Sequence, residues 1–214
     1  MISFDRREAL RYMGYHGAEP DAAVAESLER CAAELQTAVQ PKSISARFPL
    51  SFIGENTMQI GDLTVTSANL ARNLRGCTEV YLMAATLGIG ADRLIARASA
   101  VRMSDAVILQ AVAAAMIETC CDEVNDALRH MAEREGLYCR PRFSPGYGDF
   151  SIEHQRDFSR LLDTPRKIGL TVTESCLLAP IKSVTAVIGL SETPQPCHRQ
   201  GCEECGKTDC AYRR

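Results

Sequence analysis

The run from Asp105 to Gly136 constrains this chain more than any other feature. Ser104 stands before it as an N-cap, and a glycine closes it, as glycines often close helices. One long helix is the expectation. Its first half is small and apolar, with Ala111, Ala113, Ala114 and Ala115, which lets neighbouring backbone approach closely. Its second half is charged: Glu118, Asp122, Asp126 and Arg129 fall on roughly one stripe. For Asp122, Asp126 and Arg129 the simplest expectation is a solvated face with i,i+4 pairing. Glu118 sits where apolar gives way to charged, at a boundary between core and cleft.

A chain of 214 residues is long enough for one generous domain, or a domain with an appendage, and for a real core. The net charge of −3 and dispersed Lys and Arg residues argue against nucleic-acid binding, and the lack of Trp argues against stacking platforms. At the N-terminus Asp5, Arg6, Arg7 and Glu8 precede any apolar run, so no signal peptide is expected. The most apolar stretch, Ala106 to Ile117, is interrupted by Gln110 and is too short to span a bilayer. The expected compartment is the cytoplasm, with no membrane partner. The ten cysteines are then reduced thiols or metal ligands rather than disulfides.

Residues 4–14 and 20–40 read as helices, the second with Asp21 near its start. The period then changes. Ser45 to Phe52 reads as a strand, and Thr57 to Thr66 as a hairpin about Gly61-Asp62. Thr66-Ser67 caps a short helix through Leu74, a strongly apolar strand runs from Thr78 to Leu87, and a helix from Ala91 to Ala100 follows. Beyond the long helix, Arg140 to Phe150 is a loop and Ser151 caps a helix through Leu162. Gly169 to Leu177 and Ser183 to Leu190 read as strands. Strands and helices do not alternate regularly, so the fold class is α+β: a twisted, largely antiparallel sheet with helices packed on it. Composition turns to Cys, Gly and charge after Pro194 and Pro196, which divides the chain into a domain at 1–192 and a tail at 193–214.

Two motifs invite a ligand. The first, Gly88-x-Gly90 between a strand and a helix, resembles the start of a dinucleotide fingerprint, but its third glycine would stand at position 93, which is Arg93. An ordinary strand-to-helix turn explains it. The second is RFSPGYG, Arg142 to Gly148. Arginine offers a planar fork for a carboxylate, Pro145 stiffens the loop, Gly146 admits close approach to backbone, and Tyr147 adds an amphipathic ring. A flat-ringed metabolite bearing a carboxylate suits that set. Cys31, Cys77, Cys120, Cys121, Cys139 and Cys176 are most simply small buried hydrophobes, and His154 a surface or supporting residue.

The segment RFSPGYGDFSIEHQRDFSRLLD, followed by GLTVTESCLLAPIKSVTAVIGL, resembles the activation (reactivation) domain of cobalamin-dependent methionine synthase. The shared pattern is Arg142, Ser144, Pro145-Gly146-Tyr147, His154, Leu161-Leu162-Asp163, Thr173-Glu174-Ser175, Pro180 and Ser183-Val184. The long helix matches the family's acidic helix, with Glu118 on a ligand-binding glutamate. The resemblance covers about Asp105 to Leu190. It implies a domain that binds S-adenosylmethionine and supports reductive methylation of a partner's cob(II)alamin. On that pattern Arg142 takes the methionyl carboxylate and Ser144 and Gly146 give backbone contacts. Glu118 holds another polar part of the ligand, and Tyr147 approaches the corrin. Phe143, Ser144 and the segment GDFSIEH depart from the family's usual residues, and Asp5 is a candidate for its N-terminal acidic ligand.

The chain has no Asp-x-His-x-x-Gly for cobalt ligation. The expectation is a free-standing accessory subunit that serves, in trans, a cobalamin-binding methyltransferase core lacking this domain, with a separate electron donor. The tail adds Cys197, Cys202, Cys205 and Cys210 at C-x4-C-x2-C-x4-C, with His198 nearby. Four thiolates at that spacing suit zinc or an iron–sulfur cluster, and a [4Fe–4S] cluster could relay an electron. The competing reading is therefore a metal- or cluster-bearing binding or electron-delivery protein without methyl transfer of its own.

Overall fold

A computed structural model describes residues 3–15 and 17–194. The cysteine quartet of the tail lies outside the described residues. Two helices open the chain, α1 (Arg6–Tyr12) and α2 (Ala22–Ala38), each capped by an aspartate side chain, Asp5 and Asp21. Strands β1 (Lys42–Phe52), β2 (Thr57–Ile60) and β3 (Leu63–Thr66) follow, then α3 (Ala68–Leu74), β4 (Glu79–Thr86), α4 (Ile89–Val101) and α5 (Met103–Arg134). After a two-residue strand β5 (Tyr138–Cys139) come a 3-10 turn at Ile152–His154, α6 (Gln155–Leu162), α7 (Thr164–Ile168), β6 (Thr171–Val172), β7 (Leu178–Ala179) and β8 (Ser183–Ser191).

The main sheet has six strands in the order β3-β2-β1-β4-β8-β5, every pair antiparallel. β4 lies at its centre, paired along its length to β1 and to β8. Its apolar run is continuous because both faces are covered. Tyr81, Met83 and Ala85 meet α2, α4 and α5 in one core. Val80, Leu82 and Ala84 meet α3, α6 and the β2–β3 hairpin in the other. α5 crosses the first core, where Ala113 and Ala115 are buried, and Ala111 is buried as well. The small side chains let α2 and α4 pack closely, as expected for the alanine-rich half. This helix is long and apolar enough to cross a membrane, but 61% of its most apolar 18-residue window is buried inside the fold. Its apolarity is that of a core helix.

Four local readings change. Ser104 does not cap α5: the helix begins at Met103, Arg102 takes the N-cap position, and no side chain caps it. Gly169 to Leu177 is not one strand. Only Thr171–Val172 pairs, with β7, and the chain then turns at Thr173 to Leu177, where Cys176 takes φ of 62°. Between α6 and β6 lies α7, only five residues long with a proline in its first turn, so it leaves no period to read. Arg129 pairs with Asp126 at i,i+3 rather than i,i+4.

Candidate functional site

The loop from Arg142 to Phe150 crosses the β8 side of the sheet. Phe143 forms a β-bridge to Val187, and Phe150 is buried beside Phe158 and His154 in the second core. These two aromatics hold the loop's ends, so the residues between them stand at the surface.

Arg142 turns toward α5. Its Nη2 donates to Asp122 Oδ1 at 2.8 Å and lies 3.4 Å from Glu118 Oε2. Two of the residues singled out from sequence, Arg142 and Glu118, are therefore brought together from elements 24 positions apart. Asp122 joins them. It sits one helical turn beyond Glu118, which is the signal that could have placed it here rather than on a solvated face. The arginine side chain is mostly covered (22% exposed), whereas Glu118 (41%) and Asp122 (69%) remain open to solvent. Arg142 Nη1 is buried without a hydrogen-bond partner among the described residues. A buried guanidinium donor left unsatisfied is costly, so the site has donor capacity to spare.

Gly146 has φ of 95°, a conformation that favours glycine. Tyr147 is 68% exposed, its ring offered to solvent. Ser144 is half-buried, and its carbonyl accepts from the Tyr147 amide at 3.2 Å. Cys121, the neighbour of Asp122, is buried, and burial pushes its thiol up to about 12, so it is no nucleophile at neutral pH. His154 packs against Phe150 and lies 2.9 Å from Asp157 through Nδ1, in a supporting role beneath the loop. Asp5 caps α1 through the Arg7 and Glu8 amides. Asp149 was not legible as a site residue: its partners, Ser67 and the first amides of α3, lie some 80 positions away.

A separate cavity of about 330 Å³ is lined by residues that include Lys42, Gly88, Gly90, Arg93 and Pro180. None of the Arg142–Tyr147 loop lines it. Gly90 is required there by packing, since a Cβ would stand 1.9 Å from the Ala38 carbonyl oxygen. β4 has only antiparallel neighbours, so the Gly88-x-Gly90 turn does not belong to a parallel dinucleotide-binding unit. Among the described residues no cluster of three or more His, Cys, Asp or Glu is arranged to hold a metal ion.

The architecture, a six-stranded antiparallel sheet covered by a long central helix, is that of a known class of α+β domain. The fold matches a crystal structure described as the MetH reactivation domain bound to AdoHcy, with a TM-score of 0.62 and 15% sequence identity, over 88% of this chain and 76% of that one. No protein-family model matches the sequence, and no curated protein matches it.

Proposed function

We propose that this chain binds S-adenosylmethionine at the Arg142 loop and reactivates a cobalamin-dependent methyltransferase, methionine synthase being the favoured partner, in trans. The observation that carries the reading is the convergence of Arg142 with Glu118 and Asp122 beside Gly146 and Tyr147. The methionyl end of S-adenosylmethionine is a zwitterion, and a site for it needs a cationic fork and carboxylates within a few ångströms. Arg142, with a buried nitrogen still unpartnered, takes the ligand carboxylate. Glu118 and Asp122 take the ammonium. Asp122, the exposed half of its pair with Arg142, is screened by solvent, so a ligand displaces it from the arginine at small cost. Ser144 and Gly146 supply backbone contacts, and Tyr147 faces the docked corrin. The matched structure's bound AdoHcy, S-adenosylhomocysteine, supports the choice of ligand: it is what S-adenosylmethionine becomes when its methyl group leaves.

The cobalamin belongs to the partner, where an outside electron donor reduces cob(II)alamin and the cobalt then accepts the methyl carbon as its bond to sulfur breaks. This chain's residues contribute position. Methyl transfer needs donor and acceptor close and in line, and holding them so supplies most of the catalysis. Residues 1–192 form the binding domain in this reading, and 193–214 a metal-binding tail, in a cytoplasmic protein. The donor set of Cys197, Cys202, Cys205 and Cys210 fits a thiophilic metal, either zinc or a [4Fe–4S] cluster. That quartet also supports the second reading, an electron-delivery protein without methyl transfer.

The test supplies a cob(II)alamin-loaded corrinoid methyltransferase, a low-potential reductant and S-adenosylmethionine labelled in its methyl group. Label arriving on the cobalt only when this chain is present supports reactivation. Reduction without transfer of label supports the electron-delivery reading. Elemental analysis of anaerobically purified protein distinguishes zinc from iron with sulfide, and neither metal would refute the tail's assignment.

A further inference from the structure

We propose that Asp149 is a positioning residue for the ligand loop: it ties the loop to the first turn of α3 and so fixes where the Gly146 and Tyr147 backbone stands. The inference rests on the reading that this loop holds S-adenosylmethionine.

The loop enters at Phe143, whose amide and carbonyl both pair with Val187 at 2.9 Å, and it closes at the buried Phe150. Between them Gly146, Tyr147, Gly148 and Asp149 are exposed. Their own bonds make a tight turn. The Tyr147 amide donates to the Ser144 carbonyl at 3.2 Å, the Gly146 amide to Phe150 at 2.8 Å, and the Phe150 amide to Tyr147 at 3.0 Å. Two of those bonds run to the buried Phe150, which anchors one end of the turn, but none ties its exposed side to the neighbouring α3. Asp149 does. Its Oδ1 accepts from the Ser67 hydroxyl at 2.5 Å and from the Asn69 amide at 3.1 Å, and its Oδ2 from the Ala68 amide at 2.7 Å. The Ser67 hydroxyl, with the amides adding to it, holds the Asp149 carboxyl below the usual range, so it is ionised and its bonds are charge-assisted. The contact is close as well: a Cβ on Gly148 would stand 2.3 Å from Asn69 Nδ2.

α3 does not depend on this carboxylate. Ser67 is its own N-cap, with Oγ accepting from the Leu70 amide at 3.0 Å, and the Ser67 carbonyl accepts from the Ala71 amide at 3.0 Å. Asp149 takes the Ser67 hydroxyl proton and the Ala68 and Asn69 amides, none of which the N-cap bond to Leu70 uses. What its three bonds add is a fixed orientation for a surface turn, and a displacement of about 1 Å in such a turn is enough to cost binding geometry.

The full chain is compared with Asp149→Ala and Asp149→Asn by S-adenosylmethionine titration, backbone amide exchange and thermal unfolding. Asp149→Ala is expected to weaken binding by on the order of tenfold and to speed exchange at Gly146 and Phe150 by a similar factor. The thermal midpoint and exchange at Val112 to Met116 in α5 stay as in the wild type. Asp149→Asn keeps an acceptor for Ser67 and falls between the two. Wild-type affinity in Asp149→Ala, or wild-type exchange at those loop amides, overturns the proposal. If the wild-type chain itself takes up no S-adenosylmethionine, the functional reading fails, and amide exchange alone decides whether Asp149 orders the loop.

Discussion

Two regions of the molecule use glycine turns and cations in different ways. The cavity at the end of β4 is partly open to solvent, and among its lining residues the charged ones are Lys42 and Arg93, both cations. At the Arg142 loop one cation meets two carboxylates. The first region offers volume and the second charge pairing. A zwitterion needs both signs in one place, so the Arg142 loop fits the methionyl group and the cavity does not. The two glycine motifs separate in the same way. Gly90 is demanded by the carbonyl of Ala38, whereas Gly146 is favoured by its backbone, with φ of 95°, since an added Cβ would make only ordinary contact with Ile152 at 3.7 Å.

The largest expected effect that sharpens this comparison is at Arg142. Arg142→Ala is expected to weaken S-adenosylmethionine binding by roughly 2–4 kcal/mol, because it leaves the ligand carboxylate and two protein carboxylates without their cation. Calorimetric titration measures it, and unchanged affinity removes Arg142 from the site. Next comes Glu118→Gln, expected to cost about 1–2 kcal/mol of binding with little change in thermal midpoint, since that side chain is 41% exposed. A collapse in stability instead would make Glu118 a structural partner. Tyr147→Ala should shift folding stability by no more than about 0.5 kcal/mol, the usual range for an exposed position, while reducing methyl transfer to a docked corrinoid partner. Urea unfolding together with the transfer assay separates the two effects. The smallest effect is expected for the double variant Lys42→Ala, Arg93→Ala, which should leave S-adenosylmethionine affinity within about 0.5 kcal/mol of wild type. A loss as large as that of Arg142→Ala would move the ligand into the cavity and reverse the comparison.

What was legible in sequence was what local physics decides. The long helix, the hairpin about Gly61-Asp62, the Ser67 cap and the apolar run of β4 each carry their signal within a few residues, and all form as expected. The order of strands does not, because the pairing of β1 with β4 and of β4 with β8 joins segments far apart in the chain. The misread segments lack local signal: five-residue α7, two-residue β5 and β6, and a helix start at Met103 with no capping side chain. The candidate site divides similarly. Arg142, Gly146 and Tyr147 stand out because they are compressed into one loop, and Glu118 because the character of α5 changes there. Asp122 reads as a solvated helix residue until Arg142 is placed against it, and Asp149, in the loop, carries no signal until Ser67 is.

The central claim is that the Arg142 loop binds the methionyl end of S-adenosylmethionine. The most direct measurement is calorimetric titration of the full chain with S-adenosylmethionine, repeated after saturation with S-adenosylhomocysteine. The account predicts one binding event per chain, abolished by prior saturation because the two ligands share the carboxylate and ammonium that Arg142, Glu118 and Asp122 hold. No binding at millimolar ligand, or S-adenosylmethionine binding that survives saturation, would contradict it.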